Sequence, residues 1–155
     1  MTTSERLTEL GITLPAVMPP TAVYVTAKRV GDLVFTSGQM PYEDGALRST
    51  GKLGAEISVE RGQELARACA LNALAVIDKE VGLDEVTEVV KVLGFVASAD
   101  GFTDQPAVIN GASALFEEVF GEKGKHARSA VGMAELPMGA PVEVEVIVAV
   151  RHSPQ

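Results

Sequence analysis

The 155-residue sequence predicts an α+β fold: one mixed β-sheet with two main helices on one of its faces. Three observations carry this. The stretch 87–97 (TEVVKVLGFVA) is β-branched and reads as a buried strand. Two helical patterns, 58–81 and 104–120, lie on either side of it. The stretch 142–151 alternates, with Val142, Val144, Val146, Val148 and Val150 on one face and Glu143, Glu145, Ile147, Ala149 and Arg151 on the other.

In chain order, residues 4–10 can form a short helix with Leu7 and Leu10 inward. Pro15, Pro19 and Pro20 then force an extended lead-in. Val23-Tyr24-Val25 begins a β-like stretch. Gly31-Asp32 suits the positive φ of a tight hairpin, and Leu33 to Ser37 returns as a strand that Gly38 ends. Residues 42–55 are rich in glycine and charge and read as a loop. Ser58 caps a helix to about Val81, with Glu60 in its positive first turn and Gly82 just past its end. Its two adjacent stripes (Leu65, Cys69 and Val76; Ala70, Leu74, Ile77 and Val81) form one apolar face with Asn72 at the edge. Asp104 is placed to cap the second helix, with Pro106 in its first turn and Gly121 as its stop. Strands over 128–134 and 142–151 complete the order β-β-α-β-α-β-β. Helices on one side leave the other sheet face uncovered, and a homo-oligomer is the simplest cover.

The length fits one domain, 1–155, made of a leader (1–21) and a core (22–151). Hydrophobic residues are 46% and aromatic ones 5%, without tryptophan, so the core must be aliphatic. The net charge of −8 repels polyanions, which disfavours nucleic acid as a partner. A single cysteine and two histidines supply neither a disulfide nor an ordinary zinc site, and no metal or cofactor is expected. There is no apolar signal segment and no membrane-length run, so a cytoplasmic protein without membrane partners is expected. Dinucleotide, P-loop, HExxH and GxSxG motifs are missing.

Chemistry must therefore come from a few polar groups. Cys69, mid-helix on the apolar face, reads as a core residue. His126 lies in a charged loop and reads as solvated; His152, in the tail, receives no role. Lys123, Lys125, His126 and Arg128 form a cationic run whose best anion-binding member is Arg128. Its backbone is fixed at a strand start, and its guanidinium matches a carboxylate bidentately. Small Ala130 and Gly132 follow on its face and leave room for a ligand. Glu143 and Glu145 share one face of an apolar strand, where a carboxylate is exposed, paired or available for proton transfer. Thr36-Ser37-Gly38-Gln39 brings hydroxyls and a flexible glycine to a strand end. The residues alone point to a small anionic ligand on Arg128 with a carboxylate nearby.

The same tracts resemble the RidA/YjgF family, also labelled endoribonuclease L-PSP. The resemblance rests on Leu33-Val34-Phe35-Thr36-Ser37-Gly38-Gln39-Met40-Pro41, Val108-Ile109-Asn110-Gly111, Ala127-Arg128-Ser129-Ala130-Val131, Leu136-Pro137 and Val142-Glu143-Val144-Glu145. It covers about 22–151, and the leader with the 42–57 region resembles the longer, YjgF/chorismate-mutase-like branch. The resemblance implies a chorismate-mutase-like fold of the bacillus type, a homotrimer and clefts between subunits. It implies catalytic roles for Arg128, on the substrate carboxylate, and Glu143, on a water. Tyr24, Ser37, Gly38 and Asn110 are implied as cleft-lining or supporting positions. Counting back from Phe120 makes Ser113 the alternative to Asn110. Ala130 stands where many short members carry cysteine, leaving its backbone N–H to the ligand. The implied activity is deamination of 2-enamino or 2-imino acids to 2-keto acids without a cofactor. A non-catalytic ligand-binding or regulatory trimer and an endoribonuclease are the alternatives.

Overall fold

The computed structural model describes residues 1–153. Its elements are helix α1 (Thr3–Glu9), strands β1 (Ala27–Val30) and β2 (Leu33–Thr36), helix α2 (Val59–Val81), strand β3 (Val86–Ala97), helix α3 (Gln105–Phe120), and strands β4 (Ala127–Met133) and β5 (Val142–Val150). They form one mixed five-stranded sheet in the order β1-β2-β5-β3-β4. Only β3 and β4 pair in parallel, and α3 is the crossover between them. The expected β-β-α-β-α-β-β order is present, preceded by α1.

The alternation of β5 sorts its two faces. All five of its valines are buried on the face that α2 packs against, while Glu143, Glu145, Ile147 and Ala149 on the other face are only half-buried. Each buried valine favours the fold by about 1.5–3 kcal/mol over exposure. Ser58 accepts from Arg61 N at 3.1 Å and starts α2; Gly82, at φ 84°, ends it. Cys69 is wholly buried in the core, as expected, and burial pushes its thiol well up. A Cβ at Gly111 would sit 2.0 Å from Gln63 O, so only glycine lets α2 and α3 approach this closely. On the sheet's helix-covered face, Gly94 of β3 leaves the same kind of room for Ile109 of α3.

Three local expectations change. Residues 23–25 are bends and irregular chain rather than strand, and β1 begins at Ala27, where pairing with Thr36 starts. Asp104 occupies the N-cap of α3 but makes no side-chain capping bond. The loop after Met40 is anchored rather than free. Arg61 bonds Glu43 at 2.6 Å and Ser49 at 3.0 Å, and Leu53 is completely buried. Asn72, at the helix-face edge, is buried and donates to the carbonyls of Met40 (3.2 Å) and Tyr42 (3.1 Å).

The leader packs on its own protomer. Leu7 is buried and Leu10 half-buried; Arg6 Nε donates to Glu118 O at 2.9 Å, and Ser4 bonds Asp84. The sheet face away from α2 and α3 carries Leu33, Phe35 and Val131, which are 37%, 39% and 42% exposed. No helix among the described residues is long and apolar enough to cross a membrane.

Candidate active site in two halves

The sequence-selected residues fall into two groups. Arg128 pairs with Val92, whose side chain is buried under the helices, so Arg128 is on the helix-covered face at the sheet's edge. Glu143 pairs with Phe95 on the opposite, uncovered face. The two side chains therefore leave opposite sides of one sheet and line separate cavities.

The first half is a cavity of about 260 Å³ lined by Asn110, Ser113, His126 and Arg128, among others. Arg128 Nη1 donates to Asn110 Oδ1 at 2.8 Å and to Ser113 Oγ at 3.2 Å; Nη2 donates to Pro106 O at 3.4 Å. All three acceptors belong to α3, two of them one helical turn apart, which holds the guanidinium from behind. Asn110 and Ser113, alternatives by sequence count, both hold it. His126 joins the same chain of bonds. Its Nδ1 lies 2.6 Å from the Gly124 carbonyl, which can only accept, so Nδ1 carries the proton. In the neutral ring Nε2 then accepts from the Ser113 hydroxyl at 2.9 Å. Burial foremost, with Arg128 adding to it, lowers the affinity of His126 for a second proton. The expected solvated histidine is instead half-buried, edge-on to Phe116. Lys125 is paired with Glu122 at 2.8 Å and Lys123 does not line this cavity, so the cationic run narrows here to Arg128. Ala130 packs against the core and lines neither cavity.

The second half is a cavity of about 620 Å³ that contains Tyr24, Ser37, Gly38 and Glu143. The Ser37 hydroxyl donates to Val25 O at 2.6 Å and its N–H to Thr26 O at 2.8 Å, fastening the Tyr24 segment to the end of β2. The chain then continues beside β5 through Gln39, which exchanges both backbone bonds with Val144. This course lays Gly38 against Glu143, and a Cβ there would lie 2.8 Å from the carboxylate carbon. Burial, reinforced by the like charge of Glu145, raises the Glu143 carboxyl above the usual range. Sequence reasoning missed Met18, Pro20, Tyr42 and Met138 in this cavity, because distant loops bring them together. Among the described residues no cluster of three metal-binding side chains occurs.

The family model described as Endoribonuclease L-PSP matches residues 15–150. Protein TCP17 of Trypanosoma cruzi is 47% identical over 94% of this chain and 92% of its own. A 2-iminobutanoate/2-iminopropanoate deaminase of Dermatophagoides farinae is 32% identical over 90% of this chain and 95% of its own. The crystal structure of Atu1372 from Agrobacterium tumefaciens, a protein of unknown function, superposes with a TM-score of 0.88 at 43% identity, covering 97% of this chain and 94% of that one.

Proposed function

The chain belongs to the endoribonuclease L-PSP (RidA/YjgF) family, and from that premise we propose that it hydrolyses reactive 2-enamino and 2-imino acids to 2-keto acids and ammonia. The observation that carries the reading is the unspent charge of Arg128. Arg6, Arg29, Arg48, Arg61, Arg67 and Arg151 each have a carboxylate within 4 Å. Among the described residues Arg128 has none; its three acceptors are neutral. A guanidinium fixed by neutral groups beside a cavity is suited to grip a small carboxylate.

In this mechanism the enamine first gains a proton at carbon and becomes the imine. Water adds to the C=N carbon, a proton passes to nitrogen, the C–N bond breaks and ammonia leaves. One water is consumed for each ammonia released. Glu143 orients the water and relays one proton, and its raised pKa brings it nearer the working pH. Tyr24, Ser37 and Gly38 line the water's side, and Asn110 with Ser113 holds Arg128. Opposite faces of one sheet cannot meet on so small an acid. The proposed site therefore joins Arg128 of one copy to Glu143 of a neighbour within a homotrimer.

The test is release of pyruvate from 2-aminoacrylate generated in situ. The protein should speed it, and Arg128→Ala should lower kcat/KM by about 10- to 150-fold, the worth of a charge-assisted hydrogen bond. An unchanged rate in that variant would remove Arg128 from the reaction. Saturable carboxylate binding without turnover of any imine would make the chain a ligand-binding protein instead. RNA cleavage, which the family label names, has less support: the net charge is −8, and His126 is occupied by Ser113 and Gly124.

A further inference from the structure

We propose that the cavity holding Glu143 is a side-chain pocket, and that the chain prefers 2-imino acids with long apolar side chains over 2-iminopropanoate. The inference rests on the deaminase reading and adds the substrate class. Two observations carry it, the lining of the cavity and the backbone at one point of its rim.

Glu143 and Glu145 are the only carboxylates lining the cavity, and much of the remaining wall is carbon and thioether. Met18 and Pro20 come from the leader, Met40 and Tyr42 from the loop after β2, and Met138 from the turn before β5. Met18, Pro20, Met40 and Tyr42 lie outside every helix and strand, and Met138 sits in a single 3-10 turn, Pro137–Gly139, with no buried residue. In a single copy the cleft offers about 620 Å³, room for ligands much larger than a three-carbon acid beside a neighbour's Arg128. A methyl side chain would leave most of that wall in contact with water. A chain of four or more carbons would cover it and displace that water.

Met138 gives the second observation. Its φ is 60° and ψ 16°, left-handed backbone that disfavours a long side chain, and it is 59% exposed. The conformation costs about a factor of ten in local stability, and Gly or Asn would adopt it more readily. Burial in the protomer does not account for the thioether, since the side chain is mostly in solvent. Its place on the cavity rim does, because thioethers adapt to varied apolar shapes. Strain retained at a ligand-facing position is expected of a functional residue.

The experiment compares imines formed in situ by an amino-acid oxidase from leucine, methionine or phenylalanine with that formed from alanine. Hydrolysis is followed by loss of the trapped semicarbazone. The wild-type oligomer should favour the long imines at least about tenfold in kcat/KM, the least that added methylenes give in an apolar pocket. Met138→Asn suits the left-handed backbone and removes the thioether, so it should shrink this preference without lowering Tm. Met18→Ala, which removes a second thioether from the lining, should act in the same direction. A wild-type ratio near one, or a ratio that both variants leave unchanged, overturns the pocket while leaving the deaminase reading intact. If no imine turns over, the deaminase reading fails, and calorimetry with 4-methyl-2-oxopentanoate against pyruvate then decides the pocket. Tighter binding of the longer acid, weakened in Met138→Asn, supports it; equal or absent binding overturns it.

Discussion

A carboxylate laid against a glycine is a small arrangement with two measurable consequences. Gly38→Ala puts a methyl group 2.8 Å from Glu143 Cδ, so the carboxyl must move. Because Glu143 is proposed to act on the water and Arg128 on the substrate, kcat should fall at least tenfold with KM changing less, a split that steady-state kinetics resolves. The second consequence is a pH effect on stability. The Glu143 pKa is raised above 4.5 by burial and by Glu145, so between 4.5 and its folded value the folded chain holds a proton that the unfolded chain has released. Stability then decreases as pH rises through that window and levels off above it. Glu143→Gln removes the titration. The variant should therefore melt higher than the wild type near pH 8, lose this advantage near pH 4, and be catalytically inert. A thermal-unfolding series across pH checks the sign; a gain that persists at acid pH would contradict the assigned cause. The Glu143–Glu145 pair was legible in the sequence as two charges on one face of a strand whose other face is all valine, and the family resemblance singled out Glu143. The Ser113–His126 bond was not, since it joins a helix face to a strand entrance and neither residue has a distinctive neighbour.

At the scale of elements, legibility followed periodicity and punctuation. The Gly31-Asp32 hairpin, the Ser58 cap, the Gly82 and Gly121 stops and the β5 alternation all act within a few residues, and the structure contains each of them. The lead-in and the loop after β2 were read only as irregular, because what orders them is distant. Asn72 is the clearest case: one amide on the edge of α2 bonds two carbonyls more than 29 residues away in sequence. Asn72→Leu keeps the helix and leaves the Met40 and Tyr42 carbonyls without this donor. We expect a loss of about 1–3 kcal/mol in denaturant unfolding, with faster hydrogen exchange confined to residues 40–46. The α2–α3 contact makes the opposite kind of prediction. Gly111→Ala meets backbone rather than a movable side chain, so the helices must part. The expected cost is about 1–3 kcal/mol or more, spread over the whole cooperative transition rather than one loop.

For the whole molecule the question is how two groups on opposite sides of a sheet can serve one small substrate. Within one copy the intervening layer is the sheet itself, and its uncovered face displays Leu33, Phe35 and Val131 to solvent. Apolar side chains in a row on a sheet favour association, and closed symmetry repeats the same contact around an axis. If that contact brings Arg128 of one copy to Glu143 of the next, each variant Arg128→Ala and Glu143→Gln inactivates every site in its own oligomer. A mixed oligomer behaves differently. A site taking its arginine from a Glu143→Gln chain and its glutamate from an Arg128→Ala chain has both groups intact. Random assembly from equal amounts puts these together in about one quarter of the sites. Unfolding the two inactive proteins together and refolding them should thus restore about a quarter of wild-type activity, whereas mixing without exchange should restore none. If both groups served one site within a single chain, no mixture could recover activity. Val131→Glu provides an independent control: a charge on the uncovered face should yield a folded lower oligomer by light scattering, with activity lost although Arg128 and Glu143 remain in place.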